Sequence, residues 1–157
     1  MKHYVILDLE ATCWKQGMPR AKMETIEFGS VKLNLETLQV EDEFAMFVRP
    51  TLEPELSDFC KELTAIRQQD VDNAALFPEV LNKFVNWFGD KENMLCTWGD
   101  YDVGQIKMKI FRNLYCFCYL IFSEFNKSRI RITEIFDYHY YISIPFGIIL
   151  QMWKLSL

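Results

Sequence analysis

Residues 3–13 read His3-Tyr4-Val5-Ile6-Leu7-Asp8-Leu9-Glu10-Ala11-Thr12-Cys13, and the fold turns on how this stretch is understood. Its apolar, β-prone residues predict a buried first strand over 3–9, ending in two carboxylates. Side chains alternate across a strand, so Asp8 and Glu10 project from one face, where two anions repel unless a cation lies between them. Hard divalent cations such as Mg2+ or Mn2+ take oxygen ligands and resolve that conflict. A D-x-E pair alone is most often a solvated strand end, so the case for chemistry needs a third acid. Asp102 is the candidate, with Asp100 as its near competitor. Two ions roughly 4 Å apart in such a pocket would clamp the attacking and leaving oxygens of a phosphoryl displacement.

Working outward, residues 25–35 and 38–48 predict two longer strands joined through a turn-prone segment at 34–37. With the first strand they make an antiparallel meander. Ser57 predicts the N-cap of a short helix running to Thr64, with Phe59, Cys60 and Leu63 sharing a face. Residues 77–88 give the clearest helical period: Phe77, Val80, Leu81, Phe84, Val85 and Phe88, with Pro78 near the start and Gly89 at the close. Residues 94–98 predict a second buried strand, broken at Gly99, with a helix beginning at Tyr101. An α/β fold follows.

The chain has 157 residues, half of them hydrophobic and 15% aromatic, which suits one compact domain and excludes a disordered or fibrous chain. The longest apolar burst, 114–122, is half a membrane span, and acids at 8 and 10 interrupt any secretory core. No membrane is expected, and a cytoplasmic or nuclear location is. Five cysteines (13, 60, 96, 116 and 118) without a CxxC pair argue for reduced thiols rather than a disulfide framework or a zinc site. The net charge of −5 advertises no large basic surface, but it is unevenly spread. Residues 1–106 carry ten basic against nineteen acidic side chains, and residues 107–157 carry seven against three. The second part also has no Ala or Val but nine Ile, six Phe and five Tyr. Two parts are therefore expected, 1–106 and a divergent, aromatic-rich 107–157.

The string YVILDLEATCW with ETIEFGSVKLN after it resembles the DEDD family of 3′→5′ exonucleases, most closely its ERI-1-like branch, which opens on a strand ending D-x-E-A/S-T-C. The likeness continues through FVRPTLEPELSDFCKELTAIRQQDVDNAALFPEVL and into WGDYD, which is similar to the family's second motif. The resemblance runs from about residue 3 to 106. It implies a ribonuclease H-like mixed sheet flanked by helices, followed here by an atypical C-terminal segment. It further implies that Asp8, Glu10 and Asp102 are catalytic and hold two ions, Mg2+ or Mn2+. The implied partner is the 3′ end of single-stranded RNA or DNA, with RNA favoured.

By the same resemblance, Ala11, Thr12 and Cys13 present backbone groups to the terminal nucleotide, and Leu63, Thr64 and Ile66 match an L-T-G-I wedge against the last base. Ala65 stands where the family has glycine. Two alternatives stay open: Thr64 as a helix cap before 67–71, and Trp14 as either a base-stacking or a half-buried aromatic. The family's third motif, a histidine followed five residues later by an aspartate and lying beyond the second motif, is missing: the one histidine after Asp102 is His139, Ile144 stands five beyond it and Asp137 precedes it, while His3, five before Asp8, lies on the first strand. Residues 107–157 therefore read as an alternative ending. The activity would be impaired, or replaced by nucleic-acid or protein binding on the same fold.

Overall fold

The computed structural model describes residues 2–19, 22–89, 92–97, 101–102 and 104–106. Expectations that fall on Trp98, Gly99, Asp100 and residues 107–157, including Asp137, His139, the apolar bursts and the two-part division, lie outside the described residues. Among those described, no helix is long and apolar enough to cross a membrane.

Five strands form one sheet in the order β4-β3-β2-β1-β5. Strand β1 (His3–Ala11) is interior, with β2 (Thr25–Asn34) antiparallel on one side and β5 (Asn93–Thr97) parallel on the other. Strand β3 (Val40–Arg49) continues the antiparallel meander, and β4 (Ala75–Leu76), too short to carry a period, pairs with its end. A mixed sheet of this kind places a parallel neighbour beside β1 through the crossover helix α3 (Phe77–Phe88). Strand β1 runs two residues past its predicted end, so both acids lie within the strand. Strand β3 starts two residues late, because the turn occupies 35–39 and Leu38 adopts a left-handed φ of 56°.

Helix α3 forms as its period dictates, with Pro at its start and all six predicted apolar residues buried. They pack on Val5, Leu7 and Leu9 of β1, Phe28 of β2 and Phe44 and Val48 of β3. The opposite face of the sheet carries a smaller cluster of Ile6, Val31, Leu33 and Cys96. Because Asp8 and Glu10 follow Ile6 at a period of two, they belong to this second face and not to the α3 side. A third cluster, Ile26, Leu56, Cys60, Ile66 and Val71, joins the sheet to α1 (Asp58–Thr64) and α2 (Gln68–Asp72).

Helix α1 starts as predicted, Ser57 Oγ accepting the Cys60 N–H at 3.0 Å. Its packing differs from expectation. Of Phe59, Cys60 and Leu63, only Cys60 is interior, while Phe59 is 37% and Leu63 64% exposed. A seven-residue helix makes fewer than two full turns, so one buried residue anchors it and its other apolar side chains are left to solvent. Thr64 is not the cap of α2 either. Arg67 holds that place, with Asp70 accepting from its backbone N–H at 2.9 Å and from its guanidinium at 2.7 and 3.0 Å.

Candidate active site

Strand β1 delivers Asp8 and Glu10 to one face, and a third acid reaches the same place from far along the chain. Residues 101–102 are helical, and Asp102 is 3% exposed. Its Oδ1 accepts the backbone N–H of Leu9 at 3.2 Å, the amide that lies between Asp8 and Glu10. Leu9 itself is held by its side chain in the α3 core, so that amide is a fixed donor. A fourth acid joins them: Glu27 of β2 sits directly opposite Glu10 in the strand register. Sequence reasoning missed it, although a lone acid between Ile26 and Phe28 in a predicted strand is a visible anomaly.

The electrostatics are those of crowded anions. Burial pushes the Glu10 carboxyl up to about 7, and the charges of Asp8, Glu27 and Asp102 push the same way. Asp102 also rises to about 7, chiefly by burial and then by Asp8, while the Leu9 amide pulls it down. Asp8 opens to solvent, yet the surrounding protein still displaces enough water to raise it. Glu27 is raised by burial, then by Asp8 and Asp70. None of the four forms an ion pair among the described residues.

Oxygen donors with unneutralised charge are the chemistry a hard divalent cation satisfies, and the donor set fits one. Among the described residues no three His, Cys, Asp or Glu side chains are already clustered closely enough to hold an ion. A pH dependence follows. A carboxyl whose native pKa is raised binds protons more tightly folded than unfolded. Its stabilising contribution is complete below the ordinary values of 3.8 and 4.5 and is lost as pH rises through about 7. The metal-free protein should therefore melt at progressively lower temperature from pH 5 to pH 8, and saturating Mn2+ should flatten that slope. A metal-free melting temperature that rises across this range would contradict the assignment.

The residues implied for substrate contact fall on two neighbouring elements. Ser57 Oγ donates to the Cys13 carbonyl at 2.6 Å and Cys60 Sγ reaches the Ala11 carbonyl at 3.8 Å, so α1 is docked on the exit of β1. Ala11–Cys13 thus face the Ser57–Cys60 end of α1, while Leu63, towards its other end, is exposed. Other side chains are spent internally. Thr12 is 1% exposed, its hydroxyl accepting the Glu24 N–H at 2.9 Å, and Ile66 is buried in the third cluster. Thr64 Oγ1 donates to the Cys60 carbonyl and accepts the Ile66 N–H, closing α1. Trp14 is half-buried.

A second residue missed in the sequence, buried Glu24, braces this region. Its backbone pairs with Thr12, and its carboxylate accepts the N–H groups of Thr51, Leu52 and Glu53 at 2.7 to 3.2 Å.

Ala65, in the glycine position of L-T-G-I, ends α1 in the left-handed region at φ 60°. An L-residue pays ~1–2 kcal/mol there, and glycine returns part of that relief as unfolded-state entropy. Ala65→Gly should stabilise the protein by about 0.5–1 kcal/mol, seen as a higher urea midpoint at unchanged slope. A lower midpoint would refute this.

Comparison with known proteins finds nucleases. Human 3′-5′ exoribonuclease 1 is 39% identical over 142 residues, 86% of this chain and 39% of that protein. ERI1 exoribonuclease 2 of Xenopus laevis is 36% identical over 124 residues, 66% of this chain and 18% of that protein. The chain thus spans about two fifths or less of the length of these relatives. Among solved structures, the nuclease domain of 3′hExo, described as a DEDDh family member bound to rAMP, is 39% identical with a TM-score of 0.67, covering 71% of this chain and 60% of that one. Cell-death related nuclease 4 shares the fold at 20% identity, with a TM-score of 0.60 over 98% of this chain and 55% of that one. The ribonuclease H-like architecture expected from the motifs is therefore the one found. The exonuclease family RNase_T matches residues 5–141, extending beyond the stretch in which the motifs are legible by eye. With D-x-E on its first strand and that match over most of its length, the chain belongs to the exonuclease family.

Proposed function

We propose that this chain is a metal-dependent 3′→5′ exonuclease that removes nucleotides from the 3′ end of single-stranded RNA. The observation that carries the proposal is the bond from Asp102 to the amide between Asp8 and Glu10, which gathers three acids from two distant parts of the chain. The relatives support the substrate class: one is a 3′-5′ exoribonuclease, and another solved structure, at 38% identity, concerns 3′-end recognition of a histone mRNA stem-loop by a 3′-exonuclease.

In this proposal Asp8, Glu10 and Asp102 hold Mg2+ or Mn2+, two ions in the full arrangement. The bound ions supply Lewis-acid stabilisation of phosphate charge and a water activated at neutral pH. The chain's own groups do the rest. The Leu9 N–H orients Asp102, and the rigid pleat of β1 holds Asp8 and Glu10 on one face. Backbone groups of Ala11, Thr12 and Cys13 line the terminal nucleotide. Exposed Leu63 lies against the last base, with Thr64 and Ile66 fixing the turn that presents it.

The absence of a His-x4-Asp motif after Asp102 favours a second reading, in which the same site binds a nucleic acid or a protein without hydrolysis. Residues 107–157 then act as a divergent, aromatic-rich extension of a 1–106 core. General acid–base help is worth ~10² to 10⁴ in rate, so its loss leaves room for slow turnover.

The test is incubation of 5′-labelled single-stranded RNA and DNA of one sequence with the protein and Mn2+, with and without excess chelator. Stepwise shortening from the 3′ end, faster on RNA and stopped by chelator, is expected. Internal cuts, or shortening that survives chelation, would refute the proposal. Binding without shortening would select the second reading.

A further inference from the structure

Two thiols that are far apart in sequence meet beside the cleft. Ser57 Oγ donates to the Cys13 carbonyl at 2.6 Å and accepts the Cys60 N–H at 3.0 Å, so one hydroxyl ties both residues' backbones together. Cys13 packs against the cluster that contains Cys60. Both are free. Their exposures differ: Cys60 is fully buried, whereas Cys13 is only half-buried. Cys96 belongs to a different cluster, with Ile6, Val31 and Leu33, and so does not compete for either partner.

We propose that Cys13 and Cys60 are a reversible dithiol–disulfide modification site, oxidised by hydrogen peroxide, that fastens the exit of β1 to α1. Cys13, the accessible thiol, reacts first. Its sulfur attacks a peroxide oxygen, the O–O bond breaks, one water leaves, and Cys13 becomes a sulfenic acid. The Cys60 sulfur then attacks the Cys13 sulfur, an S–S bond replaces the S–O bond, and the thiol proton departs with the hydroxyl as a second water. The two sulfurs together lose two electrons, which reduce one peroxide to two waters. A dithiol reductant reverses the bond by exchange through a mixed disulfide.

The surroundings make the site slow rather than inert. Burial, then Cys60 and Glu10, push the Cys13 thiol up to about 12, so the reactive thiolate is scarce in the resting protein. The site therefore answers sustained oxidant rather than brief exposure. Its location gives the modification a consequence, because α1 carries Leu63 and Thr64 and β1 carries Glu10. The bond would fix α1 and the exit of β1 relative to one another.

The test uses the full chain and no RNA, so its failure is distinguishable from failure of the nuclease proposal. The protein is incubated with hydrogen peroxide, its remaining thiols are blocked, and it is digested without reduction for mass spectrometric mapping. Expected is a Cys13–Cys60 linked peptide lighter by two hydrogens than the sum of its parts, lost on treatment with dithiothreitol. The oxidised protein should also melt at a higher temperature than the reduced one, a difference absent from Cys60→Ala and from Cys13→Ala. Cys13 and Cys60 recovered as blocked free thiols, or linked to Cys96, Cys116 or Cys118 instead of to each other, would overturn the proposal. The mapping on the unmodified sequence decides the matter even if both variants fold poorly.

Discussion

Asp102→Asn is expected to lower the metal-dependent exonuclease rate by ~10³-fold or more while leaving the metal-free protein at least as stable. The two halves of that result have one cause. Asparagine preserves the oxygen that accepts the Leu9 N–H, so the 3.2 Å bond and the helical seat of residue 102 survive. What disappears is a buried negative charge that the apo protein carries at a cost, as the rise of Asp102 to about 7 records. Removing that charge relieves Glu10, which burial and the charges of Asp8, Glu27 and Asp102 push up. Metal-bound catalysis, by contrast, draws several kcal/mol from charge held at the ion, and each ~1.4 kcal/mol is tenfold in rate. Rates and melting temperatures of the same preparation separate a lost ligand from a lost fold. A rate within tenfold of the unmodified protein would show that Asp102 is not a ligand and return attention to Asp100.

Phe84→Ala is expected to cost ~3–5 kcal/mol, the range for removing a buried aromatic ring, and so to leave the protein barely folded. Phe84 is 1% exposed and sits at the junction of the sheet and α3. Its ring meets Phe28 at 5.5 Å, Phe44 edge-on at 5.5 Å, Trp87 at 5.9 Å and Phe88 at 6.4 Å. Those neighbours come from β2, β3 and α3, and the cavity cannot close without moving one of three elements. Phe59→Ala, removing the same ring from the 37% exposed site on α1, should cost less than ~1 kcal/mol. Urea unfolding of the pair distinguishes them. Equal losses would mean that the core is not centred on α3 as described.

The fold was legible where a single physical rule governed a long stretch. Helix α3 declared itself because six apolar residues recur at helical spacing over twelve positions, and a core on that side of the sheet needed all of them. The meander was legible for the same reason, as its strands alternate and the turn residues separate them. Helix α1 was found but its packing was not, since Phe59, Cys60 and Leu63 present the pattern of a buried face. The structure buries only Cys60, because so short a helix touches the sheet at one point.

The acids divide similarly. Asp8 and Glu10 could be read from strand alternation, and Asp102 from its motif. Glu27 could not, because it joins them only through the β1–β2 register, which is a relation between two strands and not a property of either. Glu24 escaped for a related reason: its partners are backbone amides at 51–53, invisible to any pattern of side chains. Ala65 was noticed as a departure from glycine, but its meaning came from the left-handed backbone.

The central claim is that the acids on β1 make this chain a metal-dependent nuclease working from 3′ ends. Its most direct test is a time course of 5′-labelled single-stranded RNA at saturating Mn2+ with the unmodified protein beside Asp8→Ala. The account predicts a ladder that shrinks one nucleotide at a time from the 3′ end with the unmodified protein and full-length RNA with Asp8→Ala. An identical ladder from both proteins, or none from a cooperatively folded unmodified protein, would contradict it.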